Sequence, residues 1–238
     1  MKVGIIAAGE GSRLKQDGVS TLKPLVKVGG VAILERLLLQ YHSVGISEAY
    51  CIINEESTPV RESIEGQKLP IPVHFHVKTT ASSMHSLFEL GQYLHDDYFL
   101  LSTVDSIFDT RELEEFMAHA RMRDADGLLA VTLPSDDDNP LWVDLGLSNQ
   151  INAFRKPATG EALVTGGLYF FSPRVLDCQN EALSRNMSRL RNFLSLLLEK
   201  GYLLRGYKFK KMVDLDHAAD IRLAEEFIHG MARERSRV

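Results

Sequence analysis

The 238 residues predict an α/β protein in which a mixed, mostly parallel sheet lies between two layers of helices. Three observations carry that reading. The chain opens on an apolar run, Val3 to Ala8, without the polar–apolar alternation of a half-exposed strand; it suits a parallel strand buried on both faces. From there strand-like and helix-like segments alternate, as they do where helices cross between parallel strands. The composition, 45% hydrophobic and 25% charged, is ordinary for a globular domain, and the length suffices for a sizeable core.

The first strand breaks into Gly9-Glu10-Gly11-Ser12-Arg13, where two glycines let the backbone approach something closely. Asp17-Gly18 marks a turn, and Lys23-Pro24 follows. Proline biases the residue before it toward an extended conformation, so Lys23 is expected to point in one defined direction. Between Ala32 and Val44, Ile33, Leu34, Leu37, Leu38 and Tyr41 recur at helical spacing, and Gly45 ends the helix. Ala49 to Ile53 reads as a strand, Pro59 to Gln67 as a helix, and Val73 to Val77 as a strand edged by Pro70 and Pro72. Ser82 to Leu94 reads as a helix capped by Ser82 or Ser83. Tyr98 to Leu101 is a fourth strand, and Leu128 to Leu133 a fifth. Between them Arg111 to Arg123 forms a charged helix with Leu113, Phe116 and Met117 on one face.

After Pro134 the character changes. Ser135 to Pro140 is an acidic, turn-rich loop, followed by short strands at Leu141 to Leu145 and Ile151 to Phe154. A strand from Leu163 to Ser172, a helix-rich stretch from Val175 to Lys200, a strand from Leu203 to Phe209 and a helix from His217 to about Arg233 complete the chain. No linker, low-complexity tract or repeat divides it, so residues 1–238 are expected to form a single domain with halves meeting near residue 133. The basic residues from Arg233 to Arg237 read as a frayed helix end.

Charge and cysteine usage exclude several classes of function. A net charge of −5 gives no footing for a nucleic-acid surface. No apolar run is long enough to span a membrane. Cys51 and Cys178 show no metal-ligand or redox spacing, so a reduced, cytoplasmic setting is expected. His74 and His76 share a strand face without an acidic or cysteine companion nearby in sequence, and read as a packed or solvent-facing pair. No nucleophile elbow is present.

A strand, a glycine loop, an arginine and a stiffly held lysine together suit a polyphosphate, because backbone N–H groups and two cations supply donors to it. Two commoner glycine loops fit less well. The dinucleotide fingerprint needs glycine where Leu14 stands, and the P-loop's Gly-Lys-Ser/Thr is absent. Farther on, Asp105 falls just past the end of a strand, where a carboxylate can reach a metal–phosphate group. Asp214 and Asp216 alternate along an extended segment and share one face, with Asp220 near the start of the last helix.

Ala7-Ala8-Gly9-x-Gly11-x-Arg13, followed by Lys23-Pro24-Leu25-Val26 and Gly29-Gly30, resembles the signature of the nucleotidyltransferases that make nucleoside-diphosphate sugars and CDP-alcohols. The resemblance runs in order along nearly the whole chain. It implies their Rossmann-like three-layer α/β/α fold, with a nucleotide-binding half to about residue 133 and an acceptor-binding half beyond. It also implies that Ala7, Ala8, Gly9, Gly11 and Ser12 form the phosphate loop, and that Thr80, Ala81 and Ser82 face the base. Arg13 would then hold the leaving pyrophosphate and Lys23 the α-phosphate side. Asp105 and Asp214 would be the Mg²⁺ carboxylates, with Asp216 as an added acid. Lys156, Gly167 and Tyr169 would meet the acceptor.

Two carboxylates plus phosphate oxygens and waters suit Mg²⁺, which rarely takes an all-protein cage. The chain departs from the family's pattern at Val104, where many members have glycine, and at Arg155, where they have glutamate before the lysine. Asp216 tilts toward the CDP-alcohol branch, since the sugar-nucleotide members tend to carry glycine there.

The activity implied is transfer of a nucleoside monophosphate from an NTP to a sugar 1-phosphate or a phospho-alcohol such as phosphocholine, with release of pyrophosphate. The implied partners are the NTP and that small-molecule acceptor, with no nucleic acid or membrane, and a homo-oligomer is compatible with this. No acetyltransfer is expected, since no room for a hexapeptide β-helix follows Val238. Three alternatives stay open: a nucleotide-sugar-dependent glycosyltransferase, which would not need Arg13 and Lys23 for pyrophosphate; a molybdopterin guanylyltransferase, marked by GTP selectivity; and a catalytically silent sensor subunit.

Overall fold

A computed structural model describes residues 1–134, 139–157 and 160–235. The first strand, β1 (Lys2–Ile6), is followed by the short helix α1 (Ser12–Gln16) and by a 3₁₀ turn at Lys23–Leu25. Lys23 thus lies in a helical turn with Pro24 as its second residue, not in the extended segment expected. Proline's missing N–H costs nothing in a first turn, where that donor has no intrahelical partner. A hairpin that the sequence analysis did not resolve, β2 (Lys27–Val28) and β3 (Val31–Ala32), folds over Gly29-Gly30.

The crossover units follow: α2 (Ile33–Ser43), β4 (Glu48–Ile53), α3 (Thr58–Glu65), β5 (Val73–Val77), α4 (Ser83–Leu94), β6 (Phe99–Thr103), β7 (Ser106–Phe108), α5 (Thr110–Ala120) and β8 (Gly127–Thr132). The second half contributes β9 (Trp142–Leu145), β10 (Ile151–Ala153), β11 (Leu163–Phe171), α6 (Gln179–Ser184), α7 (Leu190–Glu199), β12 (Leu204–Lys208), β13 (Met212–Asp214) and α8 (Ala218–Arg235). The helix-rich stretch after Val175 is split: a 3₁₀ segment at Pro173–Cys178 leads into α6, and left-handed Asn186 lies between α6 and α7. The acidic residues 135–138 and the tail beyond residue 235 lie outside the described residues.

One mixed sheet organises these elements, in the order β10-β9-β11-β6-β1-β4-β5, with β8 on β11 and β12 on β8. The strands β5, β4, β1 and β6 are parallel, with Ile6 opposite Ile52 on one side and Thr103 on the other. After β5 the chain returns to the far side of β1, so the topological switch point lies between β1 and β6. β11 runs antiparallel between β6 and β8 and joins the two halves into one sheet. Its register on β8 shifts between Thr165 and Tyr169, where Gly166-Gly167 sits. A ribbon of two three-residue strands, β7 and β13, lies beside the sheet.

Apolar side chains fill both faces. Val3, Ile5, Ala49, Cys51 and Ile53 point to the layer formed by α2, α3, α5 and α8. Ile52, Leu101, Tyr169 and Phe171 point to the layer formed by α4, α6 and α7. Both cysteines are free and buried, and burial pushes the Cys51 thiol up. Acidic companions for the histidines of β5 come from other elements: Glu48 Oε2 lies 3.8 Å from His74 Nε2 and Glu89 Oε2 3.4 Å from His76 Nε2. Among the described residues no helix is long and apolar enough to cross a membrane.

Candidate active site

The carboxyl ends of β1 and β6 open into a cleft of about 380 Å³, with Ala7, Gly9, Gly11, Ser12 and Arg13 on one wall and Thr103, Val104 and Asp105 on another. Gly11 turns the chain into α1 with φ +59°, a left-handed conformation that glycine adopts at no steric cost. A neighbouring hollow of about 340 Å³ shares Ile6, Gly9 and Ser83 with the cleft and is walled by Ala8, Asn54, Thr80, Ala81 and Ser82. All eight residues expected to meet a nucleotide therefore line one continuous surface.

Asn54 was not found from the sequence, where it is one polar residue after a strand. Its Nδ2 donates to the Ala8 carbonyl at 3.2 Å and ties the phosphate loop to β4. At the far end of the hollow, Thr80 and Ser86 share a hydroxyl hydrogen bond of 2.7 Å, and Ser82 Oγ lies 2.9 Å from His85 Nδ1.

Four charged side chains meet across the cleft. Lys23 Nζ lies 2.8 Å from Asp105 Oδ2 and 2.9 Å from Asp216 Oδ1, and Arg13 Nη1 lies 2.8 Å from Asp216 Oδ2. Residues 203 positions apart are thus brought into direct contact. Burial opposes the charges on Lys23 and Asp105, but each stabilises the other: Lys23 is raised above the ordinary lysine range and Asp105 held below the usual carboxylate range.

Asp214 answers differently. Burial, and then the neighbouring charge of Asp105, push its carboxyl up to about 7, although Ser106 Oγ donates to its Oδ1 at 2.8 Å. Two carboxylates that oppose each other's ionisation in this way fit a hard divalent cation, which would relieve the repulsion and take oxygen ligands. Asp216, expected as a further metal ligand, instead has both oxygens engaged by Lys23 and Arg13. Among the described residues no three His, Cys, Asp or Glu side chains converge to hold a metal.

Backbone contacts fix the carboxylates. The Val104 N–H donates to the Ile6 carbonyl, and the Leu215 N–H to the Asp105 carbonyl. A Cβ at Gly167, which has φ +73°, would stand 2.4 Å from Thr103 Oγ1 and 2.6 Å from Ser106 Oγ, so glycine allows β11 to approach the Asp105 turn. The last helix is tied in by groups that the sequence analysis did not single out as a set. Asp17 Oδ2 accepts from the Ala218 N–H and pairs with His217, while Asp220 Oδ2 accepts from the N–H groups of Asp216 and His217.

On the acceptor side, Tyr169 is buried within reach of the fields of Asp214 and Asp105, and burial pushes its hydroxyl up to about 12. Lys156 lies over the Trp142 ring, 4.9 Å from its centroid, and lines none of these hollows. A third hollow of about 340 Å³ adjoins the cleft through Arg13 and Asp216, with Asp214, Leu133, Lys210 and Lys211 on its other walls.

Known proteins resemble this chain in sequence and in fold. The sequence is 30% identical over 174 residues, 69% of the chain, to a CMP-5'-(3-aminopropyl)phosphonate synthase from Streptomyces rubellomurinus, and spans 27% of that protein's length. It is 23% identical over 202 residues, 74% of the chain, to a glucose-1-phosphate cytidylyltransferase from Salmonella typhi, and spans 77% of that one. The inositol-1-phosphate CTP transferase from T. maritima superimposes with a TM-score of 0.76 at 18% identity, covering 94% of this chain and 93% of that one. A sucrose-bound crystal structure from Bacillus anthracis superimposes with a TM-score of 0.82 at 19% identity, covering 95% and 94%. The likeness to the solved structures establishes the fold. A model of the nucleotidyl transferases matches residues 2–229, and the chain belongs to that family.

Proposed function

We propose that the protein transfers a nucleoside monophosphate from an NTP to a phosphorylated small molecule, a sugar 1-phosphate or a phospho-alcohol, and releases pyrophosphate. The observation that carries this reading is the convergence of Arg13 and Lys23 on one cleft whose wall is the glycine loop, at the switch point of the sheet. That relatives include a glucose-1-phosphate cytidylyltransferase and a CMP-5'-(3-aminopropyl)phosphonate synthase is in keeping with it.

The acceptor's phosphate oxygen attacks the α-phosphorus in line, forming the new P–O bond as the bond to the β-phosphate oxygen breaks. That oxygen is already anionic at neutral pH, so no general base is required. Catalysis then consists of positioning and charge neutralisation. Lys23 stands toward the α-phosphate, and Arg13 toward the departing pyrophosphate. Asp105 and Asp214 would hold Mg²⁺, which when bound draws charge from the phosphate oxygens. The acceptor's body enters the hollow beyond Asp214, where Leu133 and the two lysines meet it.

Pyrophosphate release is measured with Mg²⁺ across the four NTPs and a panel of sugar 1-phosphates, phosphocholine and polyol phosphates. Release that needs one NTP and one acceptor together is the expected result. NTP binding without release from any pair would leave a silent binding protein, and absence of NTP binding would overturn the reading.

A further inference from the structure

Asp216 bridges the two cations of the cleft. One of its oxygens lies 2.9 Å from Lys23 Nζ and the other 2.8 Å from Arg13 Nη1, and the carboxylate itself lines the cleft. A single anion spanning a lysine and an arginine is how these two cations would grip a phosphate group.

The backbone beneath it is pinned: the Asp216 N–H donates to Asp220, the preceding Leu215 N–H to the Asp105 carbonyl, and the Ala218 N–H to Asp17. The side chains on the open side are not. Those of Asp216 and Arg13 are 34% and 41% exposed, so the carboxylate can turn away without moving the chain. Lys23 is only 11% exposed and keeps Asp105 at 2.8 Å when Asp216 turns away, so what opens on it is a second anion position facing the cleft.

We propose that Asp216 is a positioning residue that acts as a built-in phosphate surrogate: in the nucleotide-free protein it keeps Arg13 and Lys23 aimed into the cleft, and it yields them to the nucleotide's phosphates on binding. The inference rests on the reading of the cleft as a nucleotide site. It assigns Asp216 a partnership with both cations, whereas Asp105 reaches Lys23 alone and Asp214 accepts from Ser106. The surrogate preorganises the site, and for the same reason it competes with any incoming polyphosphate.

The test uses inorganic tripolyphosphate, which carries no base, titrated by calorimetry in a chelating buffer into the wild type, Asp216→Asn and Glu56→Gln. The Asp216→Asn protein is expected to bind about tenfold more tightly than wild type; Glu56→Gln, which removes one formal charge from the wall of the neighbouring hollow at a residue bonded to neither cation, is expected to change by less than about threefold. Equal tightening in both variants would reduce the effect to bulk charge and overturn the proposal, as would weaker binding by Asp216→Asn. If that variant gives no cooperative melt, the carboxyl ¹³C resonance of Asp216 in the labelled wild type, assigned with Asp216→Glu, decides: it must shift when tripolyphosphate is added, and a resonance that stays in place overturns the surrogate. A wild type that binds neither tripolyphosphate nor any NTP would instead bring down the nucleotide reading, and the surrogate with it.

Discussion

Lys23 is the side chain on which the chemistry of the cleft turns, held between two carboxylates and largely out of solvent. Replacing it with alanine removes a preorganised donor from the α-phosphate, and kcat/KM for pyrophosphate release is expected to fall roughly a hundredfold or more. A smaller loss at saturating substrates than at limiting ones would show that Lys23 serves ground-state binding instead. Asp214 gives a second prediction. Its carboxyl titrates near 7 in the folded protein and near about 3.9 in the unfolded chain, so between those values the folded state binds the extra proton. The stability this confers is fully present below the unfolded value and is lost as pH rises through 7. In metal-free buffer the wild-type melting temperature should therefore decline between pH 5 and 8 relative to that of Asp214→Asn, and parallel profiles would contradict the assignment. Asp105 has the opposite sign: its lowered pKa makes its contribution disappear only as the solution is acidified below the usual carboxylate range. Both acids are visible in the sequence as residues at strand ends. Their unequal titration is not, because it follows from which of them Lys23 reaches.

At the scale of the element, two devices hold the site together. Gly167 lets β11 pass against the Thr103–Ser106 turn that carries Asp105. A Gly167→Ala change adds left-handed strain and a Cβ contact, with an expected loss of about 1–3 kcal/mol in stability and an accompanying loss of activity. Thermal unfolding checks the first part; an unchanged melting temperature would mean that the turn yields. The start of α8 is the second device. Asp220 reaches back to the N–H of His217, in the manner of a capping box, and also to that of Asp216. An Asp220→Ala chain should lose about 1 kcal/mol by its denaturant midpoint and hold NTP more tightly, because an Asp216 no longer fixed by Asp220 competes less with the phosphates for Arg13 and Lys23. A shift in midpoint without any change in NTP affinity would confine Asp220 to capping. The crossover strands and helices are legible because their apolar spacing persists over a full turn or several alternations; Val73–Val77 comes out at its observed ends. The strands β2, β3, β7 and β13, each two or three residues long, are too short to show a period. The 3₁₀ turn at Lys23 escapes for another reason: the restriction that proline places on its predecessor is overridden by the Leu25 N–H to Leu22 carbonyl bond, which closes a turn around Lys23 and Pro24.

Across the whole molecule, the site is a junction of the two ends of the chain. Arg13 and Lys23 meet Asp216, Asp17 meets His217 and Ala218, and the Gly29 N–H donates to Glu225 at 3.2 Å. The motif near the start reads as a phosphate site from local sequence, but Asp105 lies 82 residues beyond Lys23 and Asp216 lies 193 beyond it, and only the resemblance to a family connects them. The core is shared in the same way. Val3 and Ile5 of β1 pack in one cluster with Leu168, Phe209, Val213 and Ala224, so the nucleotide half buries its apolar face against residues of the other half. β6 likewise has β11 for a neighbour. A fragment of residues 1–133 would expose that edge and that face to water, and the long-range pairings that offset the chain's entropy would be missing. The intact chain is accordingly expected to unfold in one transition, with fluorescence and circular dichroism coinciding, while the 1–133 fragment shows no cooperative melt and binds no NTP. Two separated transitions in the full chain, or a fragment that folds and binds, would show that the halves are independent, and that the ties between α1 and α8 serve to align two domains.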